Sequence, residues 1–422
     1  MLDSRIYRGS RASSSSSSIE TLATSAMASG TVPSSHPDWA NLLGEVLTLI
    51  AKRLSAVDYC SFSAVCTSWA SIASPENCMP RPLRRSQPYL LFSGDGAGDC
   101  EQSDFCTLFD FQDNSFIKIH PLPEIRGKWI VGSQFGWVTV IDELGNPGLL
   151  NPFNRSRIEL PSIRPYPYAD PVDDSEGSRI SHDDGDQCYT KIQGGLAVGI
   201  RKLVLSSNPT HGDFAAVAIG RRGDLMFARS GEEKWNLLYA DTRRPMADVI
   251  YRDGKFLALT IFGKIYAFDL HCPFSPLRKS LFAKSRGGYS ATRYLVDSSG
   301  VLLHVFRKSV FVEEKSTDQT NLFEISSLDP ETGTWIPVRS LGDRSLFIGS
   351  WCSVSLSAKG MSGLEENRVY FTDDFWDILT AEKGFERDIG IFDLSSQSFK
   401  NCYPPELRLT WPPPIWITPP HI

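Results

Sequence analysis

The sequence predicts a mainly β protein with a small α-helical module at its N-terminal side, the β part being a propeller of about six blades. Three observations lead there. Helical periodicity is confined to residues 38–79. From Tyr89 to about Tyr403, short apolar runs are broken by Gly, Asp, Asn and Pro, the pattern of many antiparallel strands. A degenerate repeat recurs within that second region, and radial repetition is how a propeller leaves few free sheet edges.

The chain opens with a tail. Residues 1–36 hold 12 serines, among them Ser13 through Ser18, and few large apolar groups. Such a stretch buries too little surface to offset its ordering entropy and reads as disordered. Arg5, Arg8 and Arg11 among the serines also fit an organelle transit peptide over residues 1–26, although Asp3 and Glu20 and the lack of an arginine face count against it. A third reading takes Met27 as the natural start.

Residues 37–80 form the helical module. Leu43, Leu47, Ile50 and Leu54 recur at helical spacing, one stripe of an amphipathic helix. Ser55 is placed to cap the next helix, with Asp58 in its first turn. Phe62, Val65, Cys66 and Trp69 give a second single-faced stretch, and Pro75 and Pro80 end it. A helical cap on the next domain and a docking module both fit such a unit.

After a linker at residues 81–88, the β region runs over residues 89–410, with 411–422 left as a C-terminal tail. Each copy of the repeat is an apolar strand ending near Asp or Asn, a polar turn, and a strand with an aromatic or β-branched residue. The copies are Leu108-Phe109-Asp110 with Phe116, Leu149-Leu150-Asn151 with Ile158, Leu225-Met226-Phe227 with Trp235, Tyr266-Ala267-Phe268-Asp269, Phe323-Glu324-Ile325 with Trp335, and Ile391-Phe392-Asp393 with Phe399. Anchors 110 and 151 lie 41 residues apart, one blade, whereas 269 to 329 and 329 to 393 are 60 and 64, blades with inserted loops. An irregular pair of β-sandwiches is the competing architecture. Pro161 to Gln187, rich in Pro, Asp and Glu, reads as a long solvated loop between blades.

The chemistry is defined mainly by what is missing. Net charge is −6, which gives no overall draw toward nucleic acid or an anionic membrane, and no apolar window reaches the ~18 residues of a membrane span. Nine cysteines contain no CxxC pair, so no zinc site is expected and the thiols read as reduced, in an intracellular protein of cytoplasm or nucleus. GxSxG, HExxH and GxxxxGK[ST] are absent, and the seven histidines fall at unrelated spacings. No catalytic residue, metal ligand or cofactor is assigned. Trp351, Phe375, Trp376, Trp411 and Trp416 fit either interface anchors or buried blade packing.

Residues 38–54, from Asp38-Trp39 through Leu42-Leu43 to Arg53-Leu54, together with Phe62, Val65-Cys66 and Ser68-Trp69, resemble an F-box. The F-box pattern has Leu-Pro near its start, where this chain has Leu42-Leu43. The β region resembles the KIB-type propeller of plant F-box proteins. That likeness is carried by Gly136-Trp137, Leu149-Leu150-Asn151-Pro152-Phe153, Ile158-Glu159-Leu160-Pro161, Asp253-Gly254-Lys255-Phe256, Asn367-Arg368-Val369-Tyr370-Phe371 and Trp411-Pro412-Pro413-Pro414. The resemblance implies the substrate receptor of a Skp–cullin–F-box ubiquitin ligase, a non-catalytic subunit. Its F-box would dock on the Skp-type adaptor and through it on cullin, and its propeller would hold an unidentified target protein. It implies an adaptor interface of Leu42, Leu43, Val46, Leu47 and Ile50, with Leu54, Phe62, Val65 and Trp69 packing the F-box itself. The alternative is a propeller scaffold whose F-box has drifted, motivated by Leu43 in place of proline.

Overall fold

The computed structural model describes residues 39–54, 59, 62–63, 65–73, 88–93, 105–111, 114–125, 128–142, 145–163, 199–241, 243–270, 278–283, 292–315, 317–361, 363–374, 387–400 and 414–418. The Ser-rich tail, the Ser55 and Asp58 cap, the linker up to residue 87 and the acidic insertion from 164 onward lie outside them. The chain forms two compact units, Met1–Asn41 and Leu42–Ile422. In the first, Trp39–Asn41 is a turn of 3-10 helix. The helical module from Leu42 onward therefore belongs to the same unit as the β sheets. It comprises α1 (Gly44–Ala51) and α2 (Thr67–Ile72), with Tyr59, Phe62 and Ser63 helical between them.

Six sheets follow, one per blade. The first holds β1 (Tyr89–Ser93), β2 (Phe105–Asp110) and β3 (Ser115–Pro121). The second is the meander β4 (Trp129–Gln134), β5 (Trp137–Ile141), β6 (Pro147–Leu150) and β7 (Arg157–Glu159). Blade 3 is β8 (Ile200–Leu205), β9 (Ala215–Gly220), β10 (Leu225–Arg229) and β11 (Asn236–Tyr239). Blade 4 is β12 (Met246–Arg252), β13 (Lys255–Thr260), β14 (Ile265–Asp269) and β15 (Arg278–Ala283). Blade 5 is β16 (Thr292–Ser298), β17 (Val301–Val312), β18 (Thr317–Leu328) and β19 (Trp335–Pro337).

Blade 6 departs from the meander. It contains β20 (Arg344–Ile348), β21 (Ser353–Ser357), β22 (Arg368–Phe371), β23 (Gly390–Asp393) and β24 (Ser398–Lys400), in the order β21-β20-β22-β23-β24, with β20 and β22 parallel. The last strand, β25 (Ile415–Ile417), returns to blade 1 and pairs with β1, Tyr89 opposite Ile417 and Leu91 opposite Ile415. This corrects the assignment of 411–422 to a tail: three of its residues form the innermost strand of blade 1. The inner strands then stand side by side around the ring, β25 next to β4, and so on through β8, β12 and β16 to β21.

In blades 1 to 5 each copy of the sequence repeat lies on the third strand leading to the fourth, and in blade 6 it is β23, fourth in the sheet order, leading to β24, so the count of six stands. The physical basis is the Asx turn, in which a short side chain mimics a backbone turn. Asn151 Oδ1 accepts from Phe153 N (2.9 Å), Asp329 Oδ1 from Glu331 N (3.0 Å) and Asp393 Oδ1 from Ser395 N (2.8 Å). The first-to-second turns of blades 2, 4 and 5 use left-handed dipeptides instead, Phe135-Gly136, Asp253-Gly254 and Ser299-Gly300. Asp253-Gly254 has φ of 49° and 76°, the two positive values that a tight hairpin compatible with strand twist requires. The longer spacing in blade 5 is not a loop: β17 and β18 are 12-residue strands, paired out to Val312 and Thr317.

Antiparallel order places the first-to-second and third-to-fourth turns of a blade on one rim. The second-to-third turns and the links between blades occupy the opposite rim. In blade 1 the start of β1 and the end of β25 lie on the first of these rims.

Candidate functional site

Helix α1 reads GEVLTLIA and is apolar on more than one side. Leu43 precedes it with φ −55° and ψ 132°, and its carbonyl accepts from Val46 N (2.9 Å) and Leu47 N (3.1 Å). Glu45 sits in the first turn, where the helix dipole favours an acid. Leu47 and Ala51, four residues apart, form the inward row, and Leu54 continues it against the core. Val46, Leu49 and Ile50, at i, i+3 and i+4, form a second row that faces outward together with Leu43.

The exposures decide which residues are available to a partner: Leu43 73%, Leu49 58%, Val46 38% and Ile50 37%. Leu47 is 0% exposed, which corrects its assignment to the adaptor interface, because its i+4 partner Ala51 draws that row inward. Leu42 is half-buried against the same core. Val65, expected to pack the module, is exposed, whereas Phe62 and Trp69 do pack it, ring centroids 4.5 Å apart. Leu49 was missed by sequence reasoning, although its i+3 spacing from Val46 was visible.

Leu43 occupies the position where the F-box pattern has proline, and its φ of −55° already lies in the window of a proline ring. Leu43→Pro is therefore expected to raise the unfolding free energy by about 0.4–1 kcal/mol, through a stiffer unfolded chain. A chemical-denaturation midpoint measures this, and a lowered midpoint refutes it.

The module is seated on the first rim. Tyr59 OH donates to Ala73 O (2.6 Å), tying the middle helical residues to the end of α2. Ser63 Oγ donates to Phe153 O (3.5 Å), in the Asx turn of blade 2. The Leu-Leu-Asn-Pro-Phe motif thus shapes the turn that receives the helices.

The other concentration of functional groups lies at the inner strands of blades 3 to 5 and between blades 5 and 6. Lys202 on β8 donates from Nζ to Asp248 Oδ1 on β12, and Asp248 Oδ2 accepts from Leu295 N (2.7 Å) on β16, so one buried carboxylate joins three blades. Arg307 on β17 donates to Asp374 Oδ2 (2.7 Å) and Asp388 Oδ2 (2.7 Å), linking blades 5 and 6. Asp374 Oδ1 accepts from Ser350 Oγ (2.8 Å). Burial, with Asp388 and Asp248 nearby, pushes the Asp374 carboxyl well up, against the pull of Lys202 and Arg201. Burial pushes the Cys352 thiol up to about 11, which holds it as an unreactive thiol at neutral pH.

These acids and bases satisfy one another, and the arrangement works chemically as a set of staples between blades. Among the described residues no group of three or more His, Cys, Asp or Glu is placed to hold a metal ion, and no helix is long and apolar enough to cross a membrane. Trp351 and Trp416 are buried packing residues, while Phe375, Trp376 and Trp411 lie outside the described residues.

Comparison with known proteins gives the same two parts. The profile of the KIB1-4 beta-propeller matches residues 108–393, and that of the F-box domain matches residues 39–78. The chain is 26% identical to F-box protein SKIP23 of Arabidopsis thaliana over 414 residues, covering 90% of this chain and 96% of that one. It is 22% identical to F-box protein KIB4 of Arabidopsis thaliana, covering 78% and 81%, and 23% identical to F-box/kelch-repeat protein KIB1 of the same plant, covering 78% and 76%.

Proposed function

Since this chain belongs to the KIB1-4 β-propeller family and carries an F-box, we propose that it is the substrate-recognition subunit of a Skp–cullin–F-box ubiquitin ligase. The F-box docks on the Skp-type adaptor, the adaptor links it to cullin, and the propeller holds a target protein. Ubiquitin transfer is then promoted by proximity, with the covalent chemistry supplied by other subunits. The site of action is the cytoplasm or nucleus.

One observation carries this reading. Leu43, Val46, Leu49 and Ile50 are left exposed on α1, although Leu47 and Ala51 on the same helix are sealed against the chain's own core. A contiguous apolar face of this kind marks an interaction surface. It supports an adaptor interface of Leu43, Val46, Leu49 and Ile50, with Leu42 at its edge.

Purified chain is expected to bind a Skp-type adaptor at micromolar concentration or tighter. Leu43→Asp combined with Ile50→Asp should weaken binding by about 100-fold, roughly 2.7 kcal/mol, with the thermal midpoint unchanged because both positions face solvent. A folded wild type that shows no adaptor binding in calorimetry at micromolar concentration refutes the reading.

A further inference from the structure

Three carboxyl groups come together where blades 4, 5 and 6 meet: Asp248 on β12, Asp374 just past β22 and Asp388 just ahead of β23. Their side chains are at most 11% exposed, so each sits largely out of water. Their hydrogen bonds differ in kind. Asp248 accepts on both oxygens from groups that can only donate: Lys202 Nζ and Val249 N (2.8 Å) on Oδ1, Leu295 N (2.7 Å) on Oδ2. Asp388 gathers three donors on Oδ2, namely Arg307 Nη2 (2.7 Å), Thr320 N (2.8 Å) and Thr320 Oγ1 (2.5 Å), at the base of the two-stranded ribbon of β17 and β18. Asp374 accepts from no backbone N–H among the described residues. Arg307 Nη1 donates to its Oδ2 (2.7 Å), and its Oδ1 meets the Ser350 hydroxyl (2.8 Å).

A hydroxyl accepts as readily as it donates. A proton on Asp248 would oust a donor, and one on Asp388 would weaken three bonds to a charged oxygen. A proton on Asp374 Oδ1 leaves every bond in place: the contact with Ser350 reverses, and Oδ2 still accepts from Arg307. Charge points the same way. Lys202 is bound to Asp248, while Arg307 has to serve both Asp374 and Asp388. Burial, then Asp388 and Asp248, oppose a further negative charge at Asp374; Lys202 and Arg201 favour it and are outweighed. The Cys352 thiol close by, pushed up to about 11, adds no charge at neutral pH, and Asp373 is paired with Arg387 (3.5 Å).

We propose that Asp374 holds a proton on Oδ1 in the folded chain, donated to Ser350 Oγ, and that its release loosens the joint between blades 5 and 6. The freed charge lies beside Asp388, whose bonds to Arg307 and Thr320 tie the two blades. The joint is thus pH-sensitive, tight on the acid side and weaker as pH rises. In the unfolded chain Asp374 gives up its proton near about 3.9, and the fold keeps it to a higher pH. Its contribution to stability is full below the ordinary value and is lost as pH climbs toward the raised one. The inference goes beyond the ligase-receptor reading and does not rest on it, since it concerns the disc whatever the disc holds.

The test compares full-length wild type with Asp374→Asn, whose amide mimics the neutral acid, by urea titration from about pH 5 to about pH 8. The ratio of the wild-type unfolding constant to that of the variant should rise with pH, by up to about tenfold per unit. Asp224, also held up by burial, is common to both chains and cancels in the ratio. Hydrogen exchange on wild type alone is the second readout, and it decides the matter if the variant does not fold. After correction for the chemical rate, protection at the Thr320 amide and along β20 and β22 should fall by about tenfold over the same range. Protection along β5 and β6 of blade 2 should fall less. A ratio that is constant or falls with pH, or protection at the joint that falls no more than that of blade 2, overturns the proposal.

Discussion

Arg307→Ala is expected to lower the unfolding free energy by about 3–5 kcal/mol, the cost of leaving buried charge without its partner. Arg307 is buried and donates to Asp374, Asp388, Thr320 and the Thr372 carbonyl (2.8 Å). Its guanidinium also lies 5.0 Å from the Phe371 ring centroid and 5.9 Å from that of Phe323. Alanine removes all of these while two carboxylates stay in a site that excludes water. The attraction within the network does not by itself establish a net gain, because desolvating the charges costs a comparable amount. A rescue experiment separates the two quantities. Arg307→Met combined with Asp374→Asn and Asp388→Asn should recover much of the loss in a guanidinium titration. If Arg307→Ala alone unfolds at the wild-type midpoint, the staple contributes nothing.

Trp416→Ala should cost a similar amount, about 3–5 kcal/mol, for a different reason. Trp416 is almost fully buried on β25, its Nε1 donates to Ile348 O (3.1 Å) in blade 6, and its ring meets Phe347 edge-on at 5.0 Å. It also packs on Phe111 of blade 1 at 5.6 Å. One side chain thus bridges the first and last blades, and truncation to alanine leaves a cavity across the seam. Thermal unfolding and limited proteolysis measure the effect. Deleting residues 415–417 should be more damaging still, since blade 1 then lacks its inner strand. A deletion variant with wild-type protease resistance refutes this account of closure.

The blades were legible because they are announced locally, by apolar strands that in blades 2, 5 and 6 run into an Asn or Asp forming an Asx turn. The dipeptides at Asp253-Gly254 and Ser299-Gly300 were equally readable, both with positive φ at each residue. The closing strand was not. Ile415-Trp416-Ile417 is three residues long between prolines, and only its distant partner β1 makes it a strand. The F-box face was half legible. Periodicity revealed an apolar helix, but α1 carries two apolar rows, and which one turns inward depends on Ala51, Tyr59 and Phe62 rather than on spacing. Lys202, Asp248, Arg307, Asp374 and Asp388 gave no signal at all, since residues scattered over separate blades are brought together only by the ring. The ribbon of blade 5 was visible as excess length, yet its Glu-Glu-Lys tip read as a loop.

Closure by β25 also fixes the order of events during synthesis. Every other strand leaves the ribosome before Ile415–Ile417, so the disc stays open until translation has passed the end of blade 6. The F-box helices emerge first and have time to meet a binding partner while the disc is still incomplete. A nascent chain that stops short of residue 415 would present an unclosed edge to chaperones and proteases.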